Sequence, residues 1–161
     1  NTVLLRVYLQ SLERLFQLQK DFMAMFFRKK KANPIVQISA MKSKFPQFQS
    51  KRKGNNIIFT GELLIKPEFP TYKISVEYRG NLRPLVKVIS PALVENPPHF
   101  YQSNKSLCLY HPDNFKWNTN KLIAKEIMQW TIAWLYFYEV WLEKGIWYGP
   151  EVPHTTQKEN E

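Results

Sequence analysis

Four strand-like segments follow one another between residues 47 and 89, and the links between them are too short for any crossover. Gly54-Asn55, Pro67-Glu68-Phe69-Pro70 and Arg79-Gly80-Asn81 are all turn chemistry. A parallel neighbour would need a connection of about a dozen residues or more, so the segments must pair antiparallel in chain order, as a meander. The segment from Asn56 to Lys66 alternates Ile57, Phe59, Leu63 and Ile65 against Ile58, Thr60, Glu62 and Leu64. Tyr72 to Tyr78 sets Tyr72, Ile74, Val76 and Tyr78 against Lys73, Ser75 and Glu77. Leu85 to Ile89 is the fourth segment, and Gln47 to Arg52 is the weakest. Period-two alternation of this kind marks strands with one face buried.

Helices bracket the meander. Residues 2–27 carry Leu5, Leu9, Leu12, Phe16 and Met23 at spacings of three, four and seven, which predicts one amphipathic helix. It runs into the basic stretch Arg28-Lys29-Lys30-Lys31. Such a stripe more often packs on its own domain than on a partner or a lipid surface. Asn33-Pro34 reads as a cap and first helical residue, opening a short helix to about Lys44 with Ile38, Met41 and Phe45 on one side, ended by Pro46. From Ser90 to Ser106 no period holds, and a structureless loop is expected there. Asn118 can then cap a helix from about Lys121 to Lys144, with Gly145 as its stop. Its Trp130, Trp134, Tyr136, Phe137, Tyr138 and Trp141 lie nearly all round, so burial on more than one side is expected. After His154 the tail is polar.

Several function classes are excluded or made remote. With five glycines in 161 residues, neither GxGxxG nor GxxxxGK[ST] occurs. One cysteine argues against a disulfide-built secreted domain and points to a reducing cytoplasm. The apolar stretches 1–27 and 122–141 are interrupted by charges, so no membrane span is expected. A net charge of +10 favours an acidic partner, but the basic runs 28–31 and 51–53 do not interleave aromatics as an RNA-binding sheet would. In a zinc site drawn from Cys108, His111, His99 and His154, three of the four lack any standard ligand spacing, so neither a metal nor a cofactor is expected.

Cys108 is therefore either a nucleophile or an inert buried thiol. Free cysteines are most often the latter. Its surroundings reverse that order: Pro98-His99-Phe100-Tyr101, then Ser106-Leu107-Cys108-Leu109-Tyr110, then Pro112-Asp113 and Trp117. Together with Met41 to Pro46, Tyr72 to Tyr78, Trp130 to Glu139 and Gly145 to Gly149, these motifs resemble ubiquitin-conjugating enzymes. The likeness is closest to a bacterial branch found in short (type II) CBASS anti-phage operons, and it covers residues 34 to 154.

That resemblance implies an α+β, ubiquitin-conjugating-enzyme-like fold: a four-stranded antiparallel meander flanked by helices, with an extra N-terminal helix. The organisation expected is residues 1–33 as helix and basic linker, 34–154 as the domain, and 155–161 as a tail. It also implies a cytoplasmic enzyme in which Cys108 forms a thioester with the C-terminal glycine of a cGAS/DncV-like nucleotidyltransferase. Transfer to an amine would then prime second-messenger synthesis.

In the eukaryotic relatives an Asn shortly before the cysteine helps to stabilise the oxyanion. Here Phe100 stands eight residues before Cys108, and His99 stands nine before it. A donor aimed at a developing oxyanion is worth about 3 kcal/mol. His99 is expected to serve either there or in ordering the loop. Asn104 is the nearest amide, and turn chemistry is its more ordinary use. Asp113 is expected either to orient and deprotonate an incoming lysine or to sit in an Asx-turn with Pro112 and Asn114. Three rival readings stay open at this stage: an inactive scaffold of the same fold, a cysteine hydrolase using one of the histidines, and a nucleic-acid-binding module.

Overall fold

The computed structural model describes residues 34–151, together with Gln17 alone upstream. Gln17 apart, the expected helix over 2–27, the basic stretch 28–31 and the tail with His154 lie outside the described residues.

Helix α1 (Pro34–Lys44) opens on its proline and ends one residue before Phe45, close to the expected bounds. Four strands follow in the order β1 (Gln49–Lys53), β2 (Asn56–Leu63), β3 (Tyr72–Arg79) and β4 (Leu82–Ser90), each antiparallel to the next. The meander is thus as the links demanded. Ile57, Phe59 and Leu63 on β2 and Tyr72, Ile74, Val76 and Tyr78 on β3 are buried, as the alternation requires. Gly61 shares that face because a Cβ there would stand 2.6 Å from the Phe48 ring, closer than carbon atoms can approach. The second strand stops at Leu63, short of the expected Lys66, and Leu64 is exposed.

The two outer strands show how an edge is kept from pairing further. All five residues of β1, Gln49-Ser50-Lys51-Arg52-Lys53, are exposed, and clustered charge on an edge strand disfavours addition of another chain. On the other edge, β4 starts three residues earlier than the apolar run suggested and includes Pro84. A proline is tolerated there because an edge strand needs no ladder donor on its outer side. The early start brings Arg83 into the sheet.

The aromatic helix α2 (Met128–Lys144) follows a π-helical turn at Ile123–Ile127. This corrects the expectation of one helix capped by Asn118. The Asn118 side chain accepts from the Asn120 amide (3.0 Å) and its carbonyl from the Lys121 amide (3.1 Å), closing a separate turn. The cap comes instead from α1. Gln37, fully buried, accepts from the Ile123 amide at 2.9 Å and donates to the Lys121 carbonyl at 2.8 Å. The first amides of a helix have no partner within it, and a side chain from elsewhere in the fold supplies one here. At the other end Gly145 adopts φ 71° and donates to the Trp141 carbonyl at 2.8 Å, the left-handed stop the sequence signalled.

Helix α2 uses two faces. Met128, Thr131, Leu135 and Tyr138 recur at helical spacing and are buried in the core with the sheet face, while Trp130, Ala133 and Phe137 border a groove. The Tyr72 hydroxyl on β3 donates to the Glu139 carboxylate, tying sheet to helix. Burial, reinforced by that carboxylate, holds the Tyr72 phenol far above its ordinary range, so it stays a donor.

Candidate active site

The stretch expected to be structureless contains a small hairpin, and that hairpin builds the site. Strands β5 (Phe100–Tyr101) and β6 (Ser106–Leu107) pair antiparallel, Phe100 opposite Leu107 and Tyr101 opposite Ser106. The Cys108 amide continues the ladder by donating to the His99 carbonyl at 2.8 Å. The connecting turn is held by Asn104, whose Oδ1 accepts from the Ser106 amide (3.1 Å) and the Ser106 hydroxyl (2.6 Å). Lys105 takes a left-handed φ of 56° in the same turn. These local bonds were invisible to hydrophobic periodicity because each strand is two residues long.

The pleat sorts the hairpin's side chains. Leu107 and Phe100 turn to the core. Tyr101 and Cys108 are diagonal neighbours on the other face, a separation that an aromatic side chain can span. The Cys108 Sγ donates to the Tyr101 hydroxyl at 3.2 Å, and Arg83 Nη1, from β4, donates to the same oxygen at 2.6 Å. The guanidinium also lies over two rings, 4.6 Å from the centre of Tyr101 and 4.9 Å from that of Tyr110. The result is a chain of contacts from a cation through a phenol to a thiol.

Protonation states follow from burial and neighbours. Burial, with the Cys108 hydrogen bond, raises the Tyr101 phenol above its ordinary range and outweighs the opposing pull of Arg83. Tyr101 is therefore a neutral O–H at physiological pH. Burial works against the Arg83 charge, but the Tyr101 hydrogen bond and the electrostatics of Tyr101, Tyr110 and Cys108 outweigh it, and Arg83 ends above its usual range. Tyr110 is likewise pushed up by burial.

Beside this chain an open cavity of about 120 Å³ runs along α2, lined by Cys108, His99, His111, Trp130, Phe137 and Trp147 among others. Cys108 is half-buried at this cavity. The indole of Trp134, 3% exposed, stacks on Tyr138 at 5.2 Å and 12° and donates Nε1 to the His99 carbonyl at 2.9 Å. The His99 carbonyl thus binds both the cysteine's amide and the helix. The His99 backbone is left-handed (φ 51°), and its ring lies on Trp147 at 4.8 Å.

The four expected site residues therefore separate. Cys108 and His99 line the cavity together. The side chain of Asn104 is committed to its turn, and Asp113 stands outside the lining, its side chain 85% exposed and 3.4 Å from His111 Nδ1. Asp113 does not form the expected Asx-turn with Pro112 and Asn114; the turn runs from the His111 carbonyl to the amides of Asn114 and Phe115. Sequence reasoning gave Arg83 and the Tyr101 hydroxyl no role. For Tyr101 the signal was present, since a hairpin closing at Ser106 sets it diagonal to Cys108. For Arg83 no local signal exists, because only the sheet's return to the hairpin brings it there. Among the described residues no group of three or more His, Cys, Asp or Glu could hold a metal ion, and no helix is long and apolar enough to cross a membrane.

A cysteine at a short hairpin's end, between an antiparallel meander and a long helix, agrees with the ubiquitin-conjugating-enzyme-like plan. A family profile described as type II CBASS E2 protein matches residues 37–155, more than half of the chain. The chain belongs to the type II CBASS E2 family. A search of curated proteins gives no match. The match covers the meander, the hairpin with Cys108, and α2. As a CBASS E2 protein the chain has an E2-like role in anti-phage defence, and conjugating-enzyme chemistry is the activity its family suggests.

Proposed function

We propose that Cys108 carries, as a thioester, the C-terminal acyl group of a cGAS/DncV-like nucleotidyltransferase of the same operon and passes it to an amine, priming cyclic-oligonucleotide signalling. The observation that supports this most is the half-buried Cys108 at an aromatic-lined cavity, in a chain of this family. A thioester carrier needs a reachable sulfur, since thiols attack and leave well, and it needs protection from water. The indole and phenyl faces along α2 offer an apolar wall for an extended tail.

In this reading the thiolate attacks an activated C-terminal acyl carbon, forming the C–S bond while the activating group leaves with its electron pair. An amine then attacks the same carbon, the C–S bond breaks, sulfur leaves as thiolate, and the amine gives up one proton. His99 serves as the loop-ordering residue through its carbonyl. Asn104 shapes the hairpin turn. Asp113, beside His111, stands on the exposed side where an amine would approach. The reaction belongs to the cytoplasm, where thiols stay reduced.

Co-expression with the nucleotidyltransferase, full-length beside a form lacking its C-terminal residue, tests the reading. A thiol-sensitive covalent adduct is expected with the full-length partner and not with the truncated one. An adduct equally abundant with both would show that the C-terminus is not the group carried.

A further inference from the structure

We propose that Tyr101, held by Arg83, is the hydrogen-bond donor to the negative charge that develops at Cys108 and on the acyl group it carries. The inference rests on the acyl-carrier reading and deepens it by naming the group that takes the place of the absent asparagine.

Two side chains near Cys108, Asn104 and His99, were candidates for that work from the sequence, and the geometry gives each another engagement. Asn104 accepts from Ser106 twice. The His99 ring is stacked on Trp147. The Tyr101 hydroxyl, by contrast, touches the sulfur itself at 3.2 Å. In the resting thiol the S–H donates to that oxygen. Once the sulfur loses its proton it becomes an acceptor, and the phenolic O–H turns to donate to it. The Tyr101 proton is available for this, since Arg83 only donates to its oxygen, at 2.6 Å, and cannot accept from it.

Arg83 acts through Tyr101 and is a positioning residue. One N–H fixes the phenol's oxygen, and the guanidinium plane covers its ring at 4.6 Å. A donor held in place before reaction needs no reorganisation when charge appears, and that is the source of its advantage.

The acyl donor in this step is a peptide thioester. Cys108 gives its proton to solvent, and the sulfur's electron pair forms a new C–S bond. The carbonyl pair moves to oxygen, where the Tyr101 O–H donates. Collapse restores the carbonyl and breaks the bond to the small thiol, which leaves with the electron pair and takes a proton from solvent.

Two rates test the proposal on the full chain. The first is acyl transfer to Cys108 from a glycine-ended peptide thioester of a small mercaptan. The second is alkylation by iodoacetamide followed across pH. In Tyr101→Phe, which keeps the ring under Arg83 but lacks the hydroxyl, transfer is expected to fall about 10- to 100-fold. Its alkylation profile is expected to move to higher pH. Arg83→Gln is expected to give a smaller change in the same direction, and it carries the test if Tyr101→Phe does not fold. Transfer within about twofold of wild type together with an unmoved alkylation profile would overturn the proposal. If wild type alkylates but accepts no acyl group, the acyl-carrier reading has failed. The alkylation profile then decides the donor alone: moved in Tyr101→Phe supports it, unmoved overturns it.

Discussion

Trp134→Ala is expected to cost about 3–5 kcal/mol of folding stability, the range for truncating a fully buried aromatic. The indole is 3% exposed, is stacked on Tyr138 at 5.2 Å, and lies 5.9 Å from Trp147. Its removal leaves a cavity that the helix backbone cannot collapse to fill. The cost includes a hydrogen bond, since Trp134 Nε1 donates to the His99 carbonyl. That carbonyl keeps the Cys108 amide as a partner, so the packing loss dominates. Trp134→Phe separates the two contributions: it restores most of the ring contact and is expected to lose only about 1–2 kcal/mol. In a domain of this size the alanine variant should melt about 10–15 °C lower. Urea midpoints for the three proteins check the order, and a Trp134→Ala protein as stable as Trp134→Phe would show that the stack contributes nothing.

Gln37→Leu is expected to destabilise by about 2–4 kcal/mol, although the substitution adds an apolar side chain to an apolar site. Gln37 is fully buried, and both ends of its amide are engaged, with the Ile123 amide and the Lys121 carbonyl. Leucine leaves both backbone groups shielded from water without partners, and each orphan costs about 1–3 kcal/mol. The loss should be local as well as global. The Ile123 amide, the first donor of the π-helical turn, should lose hydrogen-exchange protection ahead of the core strands. Stability within about 0.5 kcal/mol of wild type would mean that the helix entry finds other partners.

Local pattern and distant contact differ in how far the sequence reveals them. The buried face of Tyr72, Ile74, Val76 and Tyr78 could be read from alternation alone, because a half-buried strand has no other way to be written. The meander order followed from link length, and Gly145 announced the end of α2 before any contact was known. What could not be read was whatever depends on a partner far away in sequence. Asn118 had the right chemistry for a cap, but the helix takes its cap from Gln37, 86 residues before Ile123. The hairpin of Phe100–Tyr101 and Ser106–Leu107 is too short to carry a period. The motif around Cys108 singled out the candidate nucleophile, yet its surroundings come from other elements: Arg83 from the edge strand, Trp134 from α2, and Trp147 from beyond the helix stop. Asn104 and Asp113 were chosen for chemical type and nearness in the chain, and neither property brings a side chain to the sulfur.

In the proposed function Cys108 bears the acyl group. Intact mass spectrometry of the protein co-expressed with its nucleotidyltransferase tests it most directly, with wild type beside Cys108→Ser and Cys108→Ala. The expected result is a mass equal to the two chains minus one water, released by added thiol in wild type, resistant to thiol in the serine variant, and absent in the alanine variant. Equal partner binding by all three forms, with no covalent species even when ATP is supplied, would contradict the claim.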